Sequence, residues 1–365
     1  MKFSASREAI LKPLQAVIGV VERRQTMPIL SNVLLSVADG KLSVTASDLE
    51  VELVAEAVVE EGMAGEITVP GRKLHDICRA LPDGAKVEMS LSGERLTIKA
   101  GRSRFTLSTL RAADFPTVED VAALQTFSVS QKDLHGLLER TQFSMAQQDV
   151  RYYLNGLLLE AGGETLRAVA TDGHRLALSE LALSKRVAKD SQVIVPRKGV
   201  LELSRLLGEE GDVAVAIGPN HIRVQTDGIR LTSKLIDGRF PDYGRVIPKE
   251  PPHTLKADRS LLRHALQRAA ILSNEKYRGV RLDVSENNVL IQANNPEQEE
   301  AVETLEVEYS GDEMEIGFNV TYLLDALVAV QSEQVDVSLT DGNSSCLITA
   351  PGNETTKYVV MPMRL

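Results

Sequence analysis

Polar and apolar positions repeat one pattern three times along the chain. The thirds open MKFSASREAILKPLQAVIG, TFSVSQKDLHGLLERTQFSM and HTLKADRSLLRHALQRAAIL. In each, a short alternating run reads as a strand, a Ser or Asp suited to N-capping follows, and apolar residues then recur at the spacing of an amphipathic helix. A strand pair comes next, as in SNVLLSVADGKLSVTASDLEVELVAEAV, where Asp39-Gly40 between two alternating runs predicts a hairpin.

A second helix recurs too, in ITVPGRKLHDICRALPDGAKVEMSL, VIVPRKGVLELSRLLGEEGDVAVAI and EIGFNVTYLLDALVAVQSEQVDVSL. Aligning Val69 with Val195 gives a spacing of 126, and Val195 with Gly317 one of 122. The first two thirds finish on similar strands ending in Asp114-Phe115-Pro116 and Arg239-Phe240-Pro241. Pro-containing segments at 116–119 and 248–252 read as linkers. The pattern predicts three α+β domains over 1–118, 126–247 and 252–365, each long enough to bury its own core, unlike a solenoid unit.

Composition narrows the class. No apolar run approaches the ~18 residues of a membrane span, and the N-terminus lacks the apolar stretch of a signal peptide, so a cytoplasmic protein without membrane contact is expected. Cys78 and Cys346 stand in unrelated contexts and predict neither a disulfide framework nor a metal site. Trp is absent and aromatic residues make up 4%, which argues against a stacking platform for single strands.

The net charge of −10 at first opposes a nucleic-acid partner, but binding follows local distribution. Helical segments 6–24, 71–82, 197–207 and 258–268 each sum to +2, 130–145 to 0 and 319–331 to −1. Together they carry +7, which leaves −17 for strands and loops. Equivalent helices arranged around an axis would line its inside with positive charge, suited to a phosphate backbone and indifferent to sequence.

Several strings resemble the bacterial β sliding clamp, the β subunit of DNA polymerase III. They are FSMAQQDVRYYLNG (143–156), ATDGHRLA (170–177), IVPRKG (194–199), DGRFPDY (237–243), AILSNEK (270–276), ANNPEQEEA (293–301) and YVVMPMRL (358–365), with ILSNVLL, SDLEVE, CRALP and GRSRFTLSTLRAADFP in the first third. The resemblance covers the full length. It implies three clamp domains per chain, sheets outside and helices inside, and a six-domain ring closed by a head-to-tail homodimer.

It also implies site residues. For duplex DNA these are Arg24, Arg72, Gln148, Tyr152 and Tyr153, with Arg24 at a helix end and Arg72 at a helix start. For a cleft that receives partner peptides they are Leu154, Thr171, Gly173, His174, Arg175, Leu176, Pro241, Arg245, Val246, Ser345, Val359, Val360, Met361, Pro362, Met363, Arg364 and Leu365. Met361, Pro362 and Met363 suggest a deformable apolar lining, and Arg175, Arg245 and Arg364 a rim for polar or acidic peptide groups. Gly244 stands where the family often has a second basic residue. For the dimer seam, Arg102 and Arg104 are expected on one strand face opposite Glu297, Glu299, Glu300 and Glu303, with Ile271 and Leu272 as an apolar contact near Lys73. The implied partners are double-stranded DNA, a second copy, the polymerase α subunit, the clamp-loader δ subunit and its complex, and other polymerases, ligase and mismatch-repair proteins bearing clamp-binding peptides.

No cofactor, metal or catalytic residue is expected. Asp172-Gly173-His174 could open a catalytic triad or a metal site, but no nucleophile motif or His/Cys cluster accompanies it, and a turn with a structural His is favoured. The chain has no GxxxxGK[ST], so any ATP requirement would belong to a partner. The rival readings are an enzyme built on Asp172 and His174, and a monomeric peptide-binding adaptor that never encircles DNA.

Overall fold

The computed structural model describes residues 1–21, 27–118 and 121–364. Six strand–helix–three-strand motifs run along it, two in each third of the chain. The first third holds β1 (Lys2–Ser6), α1 (Arg7–Val17), β2 (Asn32–Ala38), β3 (Lys41–Ser47) and β4 (Val51–Val58). A short β5 (Glu60–Met63) separates these from β6 (Gly65–Pro70), α2 (Gly71–Ala80), β7 (Lys86–Ser92), β8 (Arg95–Ala100) and β9 (Ser103–Ser108). The second third holds β10 (Gln125–Ser130), α3 (Gln131–Glu139), β11 (Gly156–Gly162), β12 (Thr165–Thr171) and β13 (Arg175–Ala182). Its second motif is β14 (Ser191–Pro196), α4 (Arg197–Leu206), β15 (Asp212–Ile217), β16 (His221–Thr226) and β17 (Ile229–Lys234). The last third holds β18 (His253–Asp258), α5 (Arg259–Ala270), β19 (Gly279–Ser285), β20 (Asn288–Asn294) and β21 (Glu300–Glu306). It ends with β22 (Met314–Asn319), α6 (Val320–Ala329), β23 (Gln334–Leu339), β24 (Cys346–Thr349) and β25 (Thr356–Val360).

The local signals act as their chemistry requires. Ser6 Oγ accepts the Ala9 N–H at 3.2 Å and Asp258 Oδ1 the Leu261 N–H at 2.8 Å, each satisfying one orphan donor at a helix start. Asp39 and Gly40 take φ of 51° and 71°, the two positive values of a tight hairpin turn, and Ala38 faces Lys41. Helix starts at Gly71, Arg197 and Val320 give spacings of 126 and 123, so the third copy sits one residue beyond the alignment of Val195 with Gly317. The strands before the two Phe-Pro pairs stop at Ser108 and Lys234, short of the sequence expectation. Phe115 leaves the strand to pack on Ile29, Leu30 and Leu34, and Phe240 to pack on a cluster around Leu158, Val169 and Leu176.

Two compact units emerge, 1–132 with 198–235, and 133–197 with 236–365. In the first, one sheet runs β5-β1-β7-β8-β9 and another β10-β15-β16-β17-β4-β3-β2-β6. The eight-stranded sheet crosses from one third to the next by antiparallel pairing of β17 with β4, with Leu231 opposite Leu53 and Thr232 opposite Glu52. In the second, one sheet runs β14-β11-β12-β13-β25-β24-β23-β18 and another β21-β20-β19-β22. Here β13 pairs with β25, Ala177 opposite Tyr358 and Leu176 opposite Val359. The last strand of a motif therefore meets the last strand of another motif at both junctions. Two such strands remain, β9 and β21, and each is outermost in its sheet among the described residues.

Candidate functional site

In the second unit, a cavity of about 180 Å³ lies over one face of the paired strands β13 and β25, and strand alternation sets its floor. Leu176 and Val359, opposite each other, point into it and are 3% and 1% exposed. Val360, the next residue, points to the other face and joins the core of the last third. Leu154, Thr171, Gly173, Arg175, Pro241, Val246 and Met361 complete the expected lining that the structure brings together. Arg151, Tyr153, Asp242 and Tyr243 also line it. Tyr153 was expected at DNA, yet it packs on the apolar cluster beneath the cleft, while Tyr152 is 57% exposed. The missed Tyr243 lies in the quoted DGRFPDY string, an aromatic next to the expected wall.

The wall carrying Tyr243 is fixed by a polar network. Its hydroxyl donates to Glu160 and accepts from Arg167 Nη1 at 2.8 Å, while Arg167 Nε donates to Glu180 at 2.6 Å. Burial and the Glu160 carboxylate push the Tyr243 phenol up to about 12.

Asp172-Gly173-His174 is a turn. Asp172 Oδ1 accepts the N–H groups of His174 and Arg175 at 2.9 and 3.1 Å, and Gly173 takes φ of 89°. The positive φ calls for glycine, while a β-carbon there would stand 2.8 Å from Arg151 Nη1, the movable end of a long side chain. His174 stacks on Tyr322 at 6.4 Å between centroids and is not among the cavity's lining residues. No group of three or more His, Cys, Asp or Glu suited to a metal occurs among the described residues.

The expected basic rim is rearranged. Arg175 is committed within the fold: it pairs with Asp172 at 3.1 Å and with Asp325, donates to the Phe143 carbonyl at 2.8 Å, and lies 4.7 Å from the Tyr322 ring centroid. Its side chain is only 13% exposed, so it acts as a brace and not as an open rim charge. Arg245 is exposed and pairs with Asp242 at 2.8 Å. Pro362, Met363 and Arg364 line a separate depression with Arg281, Glu315, Gly317, Gly342 and Asn343, where the Met363 N–H donates to the Gly317 carbonyl. Ser345 lies just before β24 and is not a lining residue of the cleft. Leu365 lies outside the described residues.

Beside the cleft, the loop 146–155 is held by its own hydrogen bonds. The Asp149 N–H donates to Asn155 Oδ1, Asn155 Nδ2 to the Asp149 carbonyl, and Arg151 to the Asp149 carboxylate. The Arg151 guanidinium holds the Asp149 carboxyl down to about 2. The loop presents Gln148, at φ of 57°, with Tyr152 and the 96% exposed Val150, which the sequence reading passed over. Arg72 occupies the start of α2, half-buried, and its Nη2 donates to the Val21 carbonyl. Arg24 lies outside the described residues.

The seam candidates fall on the two leftover strands. Arg104 is on β9, whereas Arg102 is in the turn before it, because β9 begins at Ser103. Glu300 and Glu303 are on β21, with Glu297 and Glu299 in the preceding loop. Glu303 is already paired with Arg268 at 2.6 Å. Ile271, 77% exposed, and the half-buried Leu272 follow α5, and Lys73 is exposed on α2.

Three families match in chain order: DNA polymerase III beta subunit N-terminal domain over 1–119, central domain over 128–242 and C-terminal domain over 244–364. The chain is 57% identical to the beta sliding clamp of Pseudomonas aeruginosa and 56% identical to that of Escherichia coli, in both cases over 100% of each chain. Among solved structures, a P. aeruginosa DNA polymerase sliding clamp crystallised with a ligand superposes with a TM-score of 0.97 at 56% identity, and Caulobacter crescentus pol III beta with 0.95 at 42%, each covering both chains fully. Another similar structure is a P. aeruginosa sliding clamp bound to griselimycin, with a TM-score of 0.97 at 57% identity and full coverage of both chains. The chain belongs to the bacterial β sliding clamp family, as three clamp domains in sequence.

Proposed function

We infer that the protein is a DNA sliding clamp, a non-catalytic processivity factor of the DNA polymerase III type. The observation that carries its mechanism is the sixfold repetition of one motif with β9 and β21 each left with one open edge among the described residues. We assign the domain limits 1–118, 126–247 and 252–365 to its three clamp domains. Two copies joined head to tail, β9 on β21, would close a ring of six domains and leave neither strand exposed. A closed ring holds DNA by topology: escape requires opening a seam, so contacts with the duplex can stay loose and sequence-independent.

The internal pairings supply a register for that seam. Phe105, Leu231 and Tyr358 hold equivalent places opposite Ile98, Val224 and Ile348. Leu53, Ala177 and Ala301 are equivalent counted from the hairpins that start at Lys41, Thr165 and Asn288. Since Leu231 meets Leu53 and Tyr358 meets Ala177, Phe105 is expected opposite Ala301 of the partner subunit. Arg104 then lies diagonal to Glu300 of the partner subunit. Exposed pairs of this kind contribute only ~0–1 kcal/mol each, so strand pairing and the apolar contact of Ile271 and Leu272 carry most of the affinity.

The cleft over β13 and β25 is assigned to short peptides from partners. Its apolar floor, the flexible Met361 and a wall braced through Tyr243 suit an aliphatic or aromatic anchor followed by varied polar residues. The α subunit of DNA polymerase III, the clamp-loader δ subunit and its complex, and other polymerases, ligase and mismatch-repair proteins are the proposed peptide donors. Gln148 and Tyr152, with Arg24 and Arg72, are proposed to meet DNA, Tyr152 by direct exposure and Arg72 through the part of its guanidinium that the Val21 carbonyl does not engage. A cytoplasmic location follows from the replicative role. Loading onto nicked circular DNA, followed by linearisation, tests the ring: the protein is expected to stay on the circle and run off the linear form, and equal retention would overturn topological binding.

A further inference from the structure

The helices at the β4–β17 junction are fastened by a contact whose counterpart at the proposed seam has not been assigned. Arg205, in the last turn of α4, donates Nη2 to the Ala16 carbonyl at 2.6 Å and Nη1 to the Gln15 carbonyl at 3.2 Å. Both carbonyls belong to the last turn of α1, the negative end of that helix. Glu202, three residues before Arg205, holds the guanidinium at 2.7 Å. The spacing of 126 that relates Gly71 to Arg197 relates Asp76 to Glu202 and Arg79 to Arg205. Arg79 pairs with Asp76 at 3.4 Å, but its side chain is 65% exposed, and among the described residues it meets no helix-end carbonyl.

The acceptor has an equivalent as well. The N-caps Ser6 and Asp258 align α1 with α5, which sets Gln267 and Arg268 in the places of Gln15 and Ala16. Arg268 is itself neutralised by Glu303, so its side chain offers little repulsion to an incoming guanidinium. We propose that Arg79 is a latch of the dimer seam, donating to the carbonyls of Gln267 and Arg268 at the α5 C-terminus of the partner subunit. This rests on the head-to-tail reading above. The remaining position of the series is Val328 on α6, 61% exposed, so the β13–β25 junction lacks this arginine.

The test is the dimer dissociation constant of the full chain by sedimentation velocity. Arg79→Gln is expected to weaken the dimer about tenfold, as loss of two charge-assisted hydrogen bonds at a partly exposed site implies, with the fold unchanged by circular dichroism. Arg79→Lys, which keeps the charge but not the two-pronged donor, is expected to recover only part of that affinity. An unchanged constant for Arg79→Gln, or full recovery by lysine, overturns the latch while the seam stands, provided Ile271→Ala still weakens the dimer. A wild-type chain that is monomeric throughout overturns the seam itself and the latch with it.

Discussion

A pair of cysteines at Ser103 and Glu303 tests the seam register directly. At the β4–β17 junction the Lys234 N–H donates to the Glu50 carbonyl and the Glu56 N–H to the Gly228 carbonyl, so Ile229 and Ala55 form a non-hydrogen-bonded pair. Ser103 and Glu303 hold the equivalent places. Their Cα atoms are therefore expected ~4.5 Å apart, inside the ~4.4–6.8 Å that a disulfide spans. The native thiols do not compete: Cys78 and Cys346 are buried, and burial pushes both up to about 12. At about pH 8 only ~1 in 10,000 of such thiols is the reactive thiolate. Losing Glu303 removes its pair with Arg268, which is 57% exposed and so contributes at most ~1 kcal/mol. Ser103→Cys/Glu303→Cys is expected to give a covalent dimer on a non-reducing gel, and a ring that resists dissociation on circular DNA. The control Ser103→Cys/Thr304→Cys shifts one partner to the opposite face of its strand and is expected not to close. Efficient closure of the control, or a dimer by sedimentation that never cross-links in the first variant, would refute the register.

Other outcomes follow from the cleft and its braces. Leu176→Asp, which sets a charge on the apolar floor, is expected to abolish binding of partner peptides in a fluorescence anisotropy titration without changing the dimer; retained affinity would count against the cleft. Arg175→Ala removes the guanidinium shared by Asp172 and Asp325 and is expected to cost ~1–2 kcal/mol in urea unfolding, since Asp325 is 38% exposed and Asp172 keeps two backbone donors; less than ~0.5 would show the brace to be dispensable. The Tyr243 phenol is raised from 10.0 to about 12, so its contribution is fully present below about pH 10 and is lost as pH rises through 12. Peptide affinity should fall across that window, and Tyr243→Phe should remove that part of the pH dependence. Gln148→Ala with Tyr152→Ala is expected to weaken DNA binding uniformly across sequences, and a sequence-dependent loss would argue against backbone contact.

How far the sequence can be read is visible residue by residue. The hairpin at Asp39-Gly40 and the caps at Ser6 and Asp258 were legible because a few adjacent residues determine them. The cleft floor was legible through the resemblance, and alternation explains why Val359 belongs to it and Val360 does not. Arg175 was misread because its carboxylate partner Asp325 lies 150 residues away, and sequence shows a charge without the partner that consumes it. Arg72 likewise donates one guanidinium nitrogen to the Val21 carbonyl, a backbone acceptor with no signature in the sequence. Arg102 falls outside its strand by one residue because the hairpin closes Ala100 on Ser103 and leaves Gly101 and Arg102 as the turn.

The proposed peptide cleft at the second junction can be compared with the other junctions through the shared register. Equivalent pairs are Thr232 with Glu52 at the first junction, Val359 with Leu176 at the second and, in the proposed seam, Thr106 with Glu300. The backbone pairing is common, and so is the turn beside it: Asp48 accepts the Glu50 and Val51 N–H groups as Asp172 accepts those of His174 and Arg175. At the first junction the carboxylate of Glu52 is 2% exposed, accepts the Val118 N–H at 2.7 Å and is raised by burial. The place of the apolar floor is thus taken there by a carboxylate that the chain itself already covers and bonds, which leaves no apolar side chain at that register position for a peptide anchor to meet. At the second junction the same positions are Leu and Val, and an anchor entering the cleft removes apolar surface from water on both sides. In the proposed ring, one fold repeated six times would gain directional docking through the side chains at a single register position, Glu52, Leu176 and Glu300.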